Sequence, residues 1–208
     1  MNSFSEFYPT KESFDALKSA IENEGENPCR DKLVPFSQVL AKKHNIRLEY
    51  AYTEYCTSGI GTRADIIICG TPHTLSNPET HSLPRKKVIL YECKSPKNSI
   101  FDKVKNGRPL PTEHLIEAET QLLDYIHDVS NVDGTFRDLI GASNVHPEMG
   151  GIIIGRSSNN PSLTLPSFKR QQYLYKERIN LYTWDNIISV ILEDYPSFAE
   201  QREPVAVY

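Results

Sequence analysis

The stretch VILYECKSPKNS, residues 88–99, runs from four apolar residues straight into Glu92, Cys93 and Lys94. Val88 to Tyr91 have the character of a strand buried on both faces. A charge in such a run is costly unless it is paired or coordinated. Strand side chains alternate, so Glu92 and Lys94 share a face with Val88 and Leu90, while Ile89 and Tyr91 take the other. The preceding apolar run, RADIIICG at 63–70, carries Asp65 near its start. If the two strands pair, Asp65 comes beside Glu92. Two carboxylates converging near a lysine make a hard-oxygen site that suits Mg²⁺, with Mn²⁺ as a substitute, because such ions take one or two carboxylates plus water and phosphate. Lys94 would then orient or deprotonate an attacking water, or stabilise charge on a phosphate. Taken alone, the triplet also reads as an ion pair on an edge strand, worth ~0–1 kcal/mol if exposed.

Working outward, KESFDALKSAIE (11–22) places Phe14, Leu17 and Ile21 at helical spacing, and KLVPFSQVLAKKH (32–44) predicts a second helix starting at Pro35. IRLEYAYTEY (46–55) alternates as a strand, and SGIGT (58–62) supplies a turn before RADIIICG. Residues 71–86 hold three prolines and read as a long loop. A polar loop after Lys94 leads to a helix in which Leu115, Ala118, Leu122, Ile126 and Val129 recur at three- and four-residue steps, with Thr112 as N-cap. GGIIIGR (150–156) suits a central strand. Residues 167–178 look helical and basic, INLYTW (179–184) reads as a strand and DNIISVILEDY as a closing helix. The order predicts a mixed α/β fold, not the regular alternation of a doubly wound sheet. Residues 1–45 form a helical segment belonging to or packed on the core, and 46–208 form the main domain.

The chain has 208 residues, 38% hydrophobic and 24% charged, which is enough for a globular core. Its polar start, MNSFSEFYPTKESFDALK, has no apolar signal region, and no run approaches the ~20 apolar residues of a membrane span. Cys29, Cys56, Cys69 and Cys93 are scattered without a C-x-x-C pair, which fits reduced thiols and a cytoplasmic setting. Net charge is −4, yet Arg85, Lys86, Lys87, Lys94, Lys97, Lys103, Lys105 and Arg108 face only Glu92 and Asp102 within 85–108, a local excess of six positive charges. A basic patch beside the charged strand would hold phosphates through counterion release. A solvated loop is the plainer account of the same lysines.

Gln121 and Tyr125, four apart on the long helix, share a face. The series A-D, E-x-K and Q-x-x-x-Y, in RADIIICG, VILYECKSP and EAETQLLDY, resembles the PD-(D/E)XK nuclease superfamily, and the element order resembles its αβββαβ core with an extra C-terminal strand and helices. Within it, these segments together with GGIIIGR and INLYTWDNII are most similar to the Shedu antiphage defence nucleases. The resemblance spans about residues 46–192. It implies a Mg²⁺-dependent deoxyribonuclease acting on double-stranded DNA. Asp65 and Glu92 would be metal ligands, with the Cys93 carbonyl as a further ligand; Lys94 would be the catalytic lysine and Gln121 active-site support. It also implies a homo-oligomer, expected to be a tetramer. The superfamily's proline is replaced by Ala64, and a first-helix glutamate that often joins such sites is Glu22, Glu24 or Glu26. A restriction or junction-resolving enzyme, or a catalytically silent DNA-binding module, would use the same scaffold.

Overall fold

A computed structural model of the chain describes residues 8–56, 63–73, 86–105, 108–131, 145–158, 160 and 179–199. Three long strands, β1 (Ile46–Cys56), β2 (Arg63–Pro72) and β3 (Lys86–Cys93), pair antiparallel in succession. After β3 the chain forms a separate two-stranded ribbon, β4 (Phe101–Lys105) with β5 (Arg108–Pro111). Beyond the long helix Glu113–Asn131, β6 (Val145–Ile153) returns parallel to β3, and the two-residue β7 (Leu181–Tyr182) pairs parallel to β6. The five-stranded sheet therefore has the order β1-β2-β3-β6-β7 and mixed polarity.

Helices cover both faces because the central strands are apolar on both. On one side lie α1 (Lys11–Asn23), α2 (Glu26–Leu33), α3 (Ser37–Lys43) and the closing helix Trp184–Asp194. Their Phe14, Leu17, Leu33, Leu40, Trp184 and Ile187 pack with Ile66, Ile68, Ile89 and Tyr91 of the sheet. On the other side α4 (Glu113–Asn131) buries Leu115, Ala118, Leu122 and Val129 against Ile67, Val88, Leu90 and Ile152. The closing helix, α5 from here on, is fixed at its start by a capping box on Thr183. The N-terminal helical segment thus shares its core with the sheet. Among the described residues no helix is long and apolar enough to cross a membrane.

Strands β1 to β3 and the helices α1, α4 and α5 fall close to where the pattern puts them, and the alternation along β3 is as read: Val88 and Leu90 face one core, Ile89 and Tyr91 the other. Four elements differ. The strand expected at 150–156 runs Val145–Ile153, because it pairs along the whole length of β3. Pro35 opens a 3₁₀ turn, Val34–Phe36, between two helices, so α2 precedes it and α3 follows. The loop after Lys94 contains the β4–β5 ribbon. The expected strand at 179–184 shrinks to β7, since Thr183 already caps α5. The turn at 58–62, most of the 71–86 loop and the basic stretch 167–178 lie outside the described residues.

One close contact ties β6 to the centre of the sheet. A Cβ at Gly150 would stand 2.4 Å from the Tyr91 ring. Only glycine leaves room for that ring, whose hydroxyl pairs with His44 Nε2 at 2.8 Å.

Candidate functional site

β2 and β3 pair with Ile66 opposite Tyr91, which carries Asp65 to the end of β3 beside Glu92. There Asp65 Oδ2 accepts the Cys93 N–H at 2.8 Å. The Cys93 thiol points into the opposite core with Ile89 and Tyr91, so only its main chain reaches the site. Lys94, just past the strand, is held at both main-chain groups. Its N–H donates to the Ile153 carbonyl at 2.8 Å, and its carbonyl accepts the Trp184 indole N–H at 2.8 Å. Its ammonium is 3.0 Å from Glu92 Oε1 and donates to Gln121 Oε1 at 2.6 Å, with Glu117 Oε2 at 3.9 Å.

Burial makes these contacts matter. Glu92 is 2% exposed, Lys94 6% and Asp65 8%. Glu92 Oε2 is buried and has no partner in hydrogen-bond geometry among the described residues, although the Tyr125 phenol lies near enough to feel that carboxylate. Burial first, and then the charge of Asp65, push the Glu92 carboxyl up to about 8 in spite of Lys94. Burial pulls the Lys94 ammonium down, but Glu92, Glu26 and Glu117 outweigh it and leave it above its ordinary value. Lys94 is thus held as an ammonium among carboxylates. Tyr125, buried on the same face of α4 as Gln121, has its phenol raised by burial and then by Glu92 and Asp65, so it belongs to the same pocket of charge.

Two further groups come from α2. Glu26 is raised by burial and feels Lys94, Asp65 and Arg30, and the Ser95 main chain hydrogen-bonds to its carboxylate. Of the three glutamates left open by the sequence, Glu26 is the one turned to the site; Glu24 pairs with Lys32 at 2.6 Å and Glu22 is exposed. Arg30, which sequence reasoning missed, is buried and donates to Asp65 Oδ1 at 3.3 Å. No spacing rule flags an arginine whose partner lies 35 residues away.

The basic residues divide. Lys86 and Lys87 start β3, roughly 20 Å from Glu92 at its end, and are tied to Glu49 at 2.8 Å and Glu148 at 2.7 Å. They stand apart from the carboxylates. Lys97 is exposed in the turn after Lys94. Lys103 and Lys105 lie on β4 and Arg108 on β5, the ribbon between β3 and α4. Arg85 lies outside the described residues.

Whether these residues suit a divalent cation turns on Glu92. Its unpaired buried oxygen, beside a second carboxylate that repels it, is a donor set that a hard cation relieves. Among the described residues no group of three His, Cys, Asp or Glu side chains stands ready to hold a metal. An ion held here would be kept by Asp65 and Glu92 with water, a set that Mg²⁺ accepts. No protein-family model and no curated protein sequence matches the chain.

Proposed function

We propose that the chain is a Mg²⁺-dependent nuclease hydrolysing phosphodiester bonds of double-stranded DNA, built on a PD-(D/E)XK core of Shedu type. The observation that carries this reading is the buried, unpaired Glu92 Oε2 beside Asp65, with the Lys94 ammonium 3.0 Å from its partner oxygen. A charge arrangement so expensive to bury is retained where charge does chemistry.

Asp65, Glu92 and the Cys93 carbonyl would hold the cation, with Glu26 close by. When bound, Mg²⁺ supplies Lewis-acid activation and neutralises charge at the phosphodiester. Lys94 then stabilises negative charge on a phosphate oxygen, and Gln121 keeps the ammonium aimed. Ile153 and Trp184 fix the lysine's main chain, so little reorganisation is needed during reaction. Lys97, and by their sequence Lys103, Lys105 and Arg108, are the candidates for gripping the DNA backbone. Assembly as a homo-tetramer and a role in antiphage defence follow from the sequence resemblance.

A second reading has its own support. Both Asp65 oxygens are already bonded, to Arg30 and to the Cys93 N–H, which would suit a silent DNA-binding module on the same scaffold. Incubation with linear and circular duplex DNA in Mg²⁺ or EDTA separates the two. The nuclease reading expects cleavage only with metal and none by Glu92→Gln. Salt-sensitive DNA binding with no product under any condition would favour the silent module.

A further inference from the structure

Arg30 sits on α2, 5% exposed, and its guanidinium is shared among three carboxylates. Nε and Nη2 donate to Asp31 Oδ1 at 3.0 and 2.9 Å, and Nη1 donates to Glu54 Oε1 at 2.9 Å and to Asp65 Oδ1 at 3.3 Å. Asn27 Oδ1 is the remaining acceptor, 3.4 Å from Nη1. The partners are not equal. The Asp31 and Glu54 side chains are 58% and 48% exposed, so water already screens them, whereas that of Asp65 is 12% exposed. The Asp65 contact is the longest of the three carboxylate contacts and the least screened.

Glu54 adds a second observation. It sits within β1 at φ 49°, a left-handed conformation unusual for a non-glycine residue in a strand. Such backbone persists only where its surroundings hold it, and functional sites are where it collects. Here the strained residue is the one whose carboxylate reaches Arg30 from β1, as Asp65 does from β2.

We propose that Arg30 is the resident counter-ion of Asp65 and sets how readily the site takes a divalent cation. Its guanidinium occupies the Asp65 oxygen for which the cation must compete. Asp31 and Glu54 hold that positive charge in place whether or not Asp65 is bound to it. Arg30 is thus a positioning residue, and Glu54 tunes it by drawing the guanidinium away from Asp65. This inference rests on the metal reading above.

The test is Mn²⁺ uptake by the full chain without DNA, followed by titration calorimetry. Arg30→Gln removes the competing charge and is expected to bind Mn²⁺ more tightly, on the order of tenfold. Glu54→Gln leaves Arg30 more dependent on Asp65 and is expected to bind more weakly. Glu92→Gln should lose uptake. Unchanged or weaker binding by Arg30→Gln, with uptake still lost in Glu92→Gln, would overturn this inference and leave the metal reading standing. If wild type takes up no Mn²⁺, or Glu92→Gln binds as wild type does, both are overturned. Should Arg30→Gln not fold, Glu54→Gln decides, since it alters a half-exposed group: weaker uptake supports the inference, and unchanged or tighter uptake overturns it.

Discussion

At the scale of single residues, Glu92 links stability to chemistry. Its carboxyl rises from an ordinary 4.5 to about 8, burial being the larger cause and Asp65 the next. Between those values the folded chain binds more protons at this group than the unfolded chain does. Stability therefore falls as pH rises through that window, since the slope follows the difference in bound protons. The contribution is fully present below about 4.5 and gone above about 8. We predict that the melting temperature in EDTA carries this downward slope, that Glu92→Gln flattens it, and that Mg²⁺ restores stability at the alkaline end. A Glu92→Gln profile parallel to wild type would contradict the assigned burial. Lys94 acts in the same sense at higher pH, since its carboxylate neighbours raise it above its ordinary value and keep it an ammonium across that window.

At the scale of elements, the site exists because three of them meet at one place. β3 delivers Glu92 and Lys94, α4 delivers Gln121 and Tyr125, and α5 delivers the indole that caps the Lys94 carbonyl. Trp184 looks from sequence like a core or interface aromatic; its hydrogen bond gives it a second task. Trp184→Phe keeps most of the apolar surface but leaves a buried carbonyl without its donor, which costs about 1–3 kcal/mol. We expect melting to drop by roughly 2–4 °C per kcal/mol lost, and single-turnover DNA cleavage to slow while DNA binding holds. Equal melting temperatures would mean that the indole bond contributes little.

Legibility also divides by element. β3 and α4 could be read because their apolar residues repeat at the strand and helix periods, and the pairing of Asp65 with the end of β3 followed from two consecutive strands. α2 could not be read. Its sequence, ENPCRDKL, is polar, and what it buries is Cys29, Arg30 and Leu33, so its inward face carries a charge and shows no apolar stripe. The β4–β5 ribbon is hard to read although Asn106-Gly107 between FDKVK and RPLP is a hairpin signal, because the first flank is short and charged and the second carries two prolines. The consequence for the site is specific: Glu26 and Arg30 both come from the unread helix. The basic run at 85–108 was continuous only in sequence, since a strand eight residues long separates its two ends in space.

At the scale of the whole molecule, a mixed sheet covered on both faces places a buried acid pair and a held lysine where β3 ends. The cores on the two sides of the sheet pack that end from both faces, and α2 borders it with Glu26 and Arg30. Such a frame can serve binding or catalysis, and the lysine discriminates between them. The most direct measurement is single-turnover cleavage of duplex DNA in Mg²⁺ by wild type and Lys94→Ala, in preparations first matched for folding and DNA binding. We expect Lys94→Ala to bind DNA within a few-fold of wild type yet to cut at least about 100-fold more slowly. A Lys94→Ala protein that cuts at the wild-type rate would contradict that expectation.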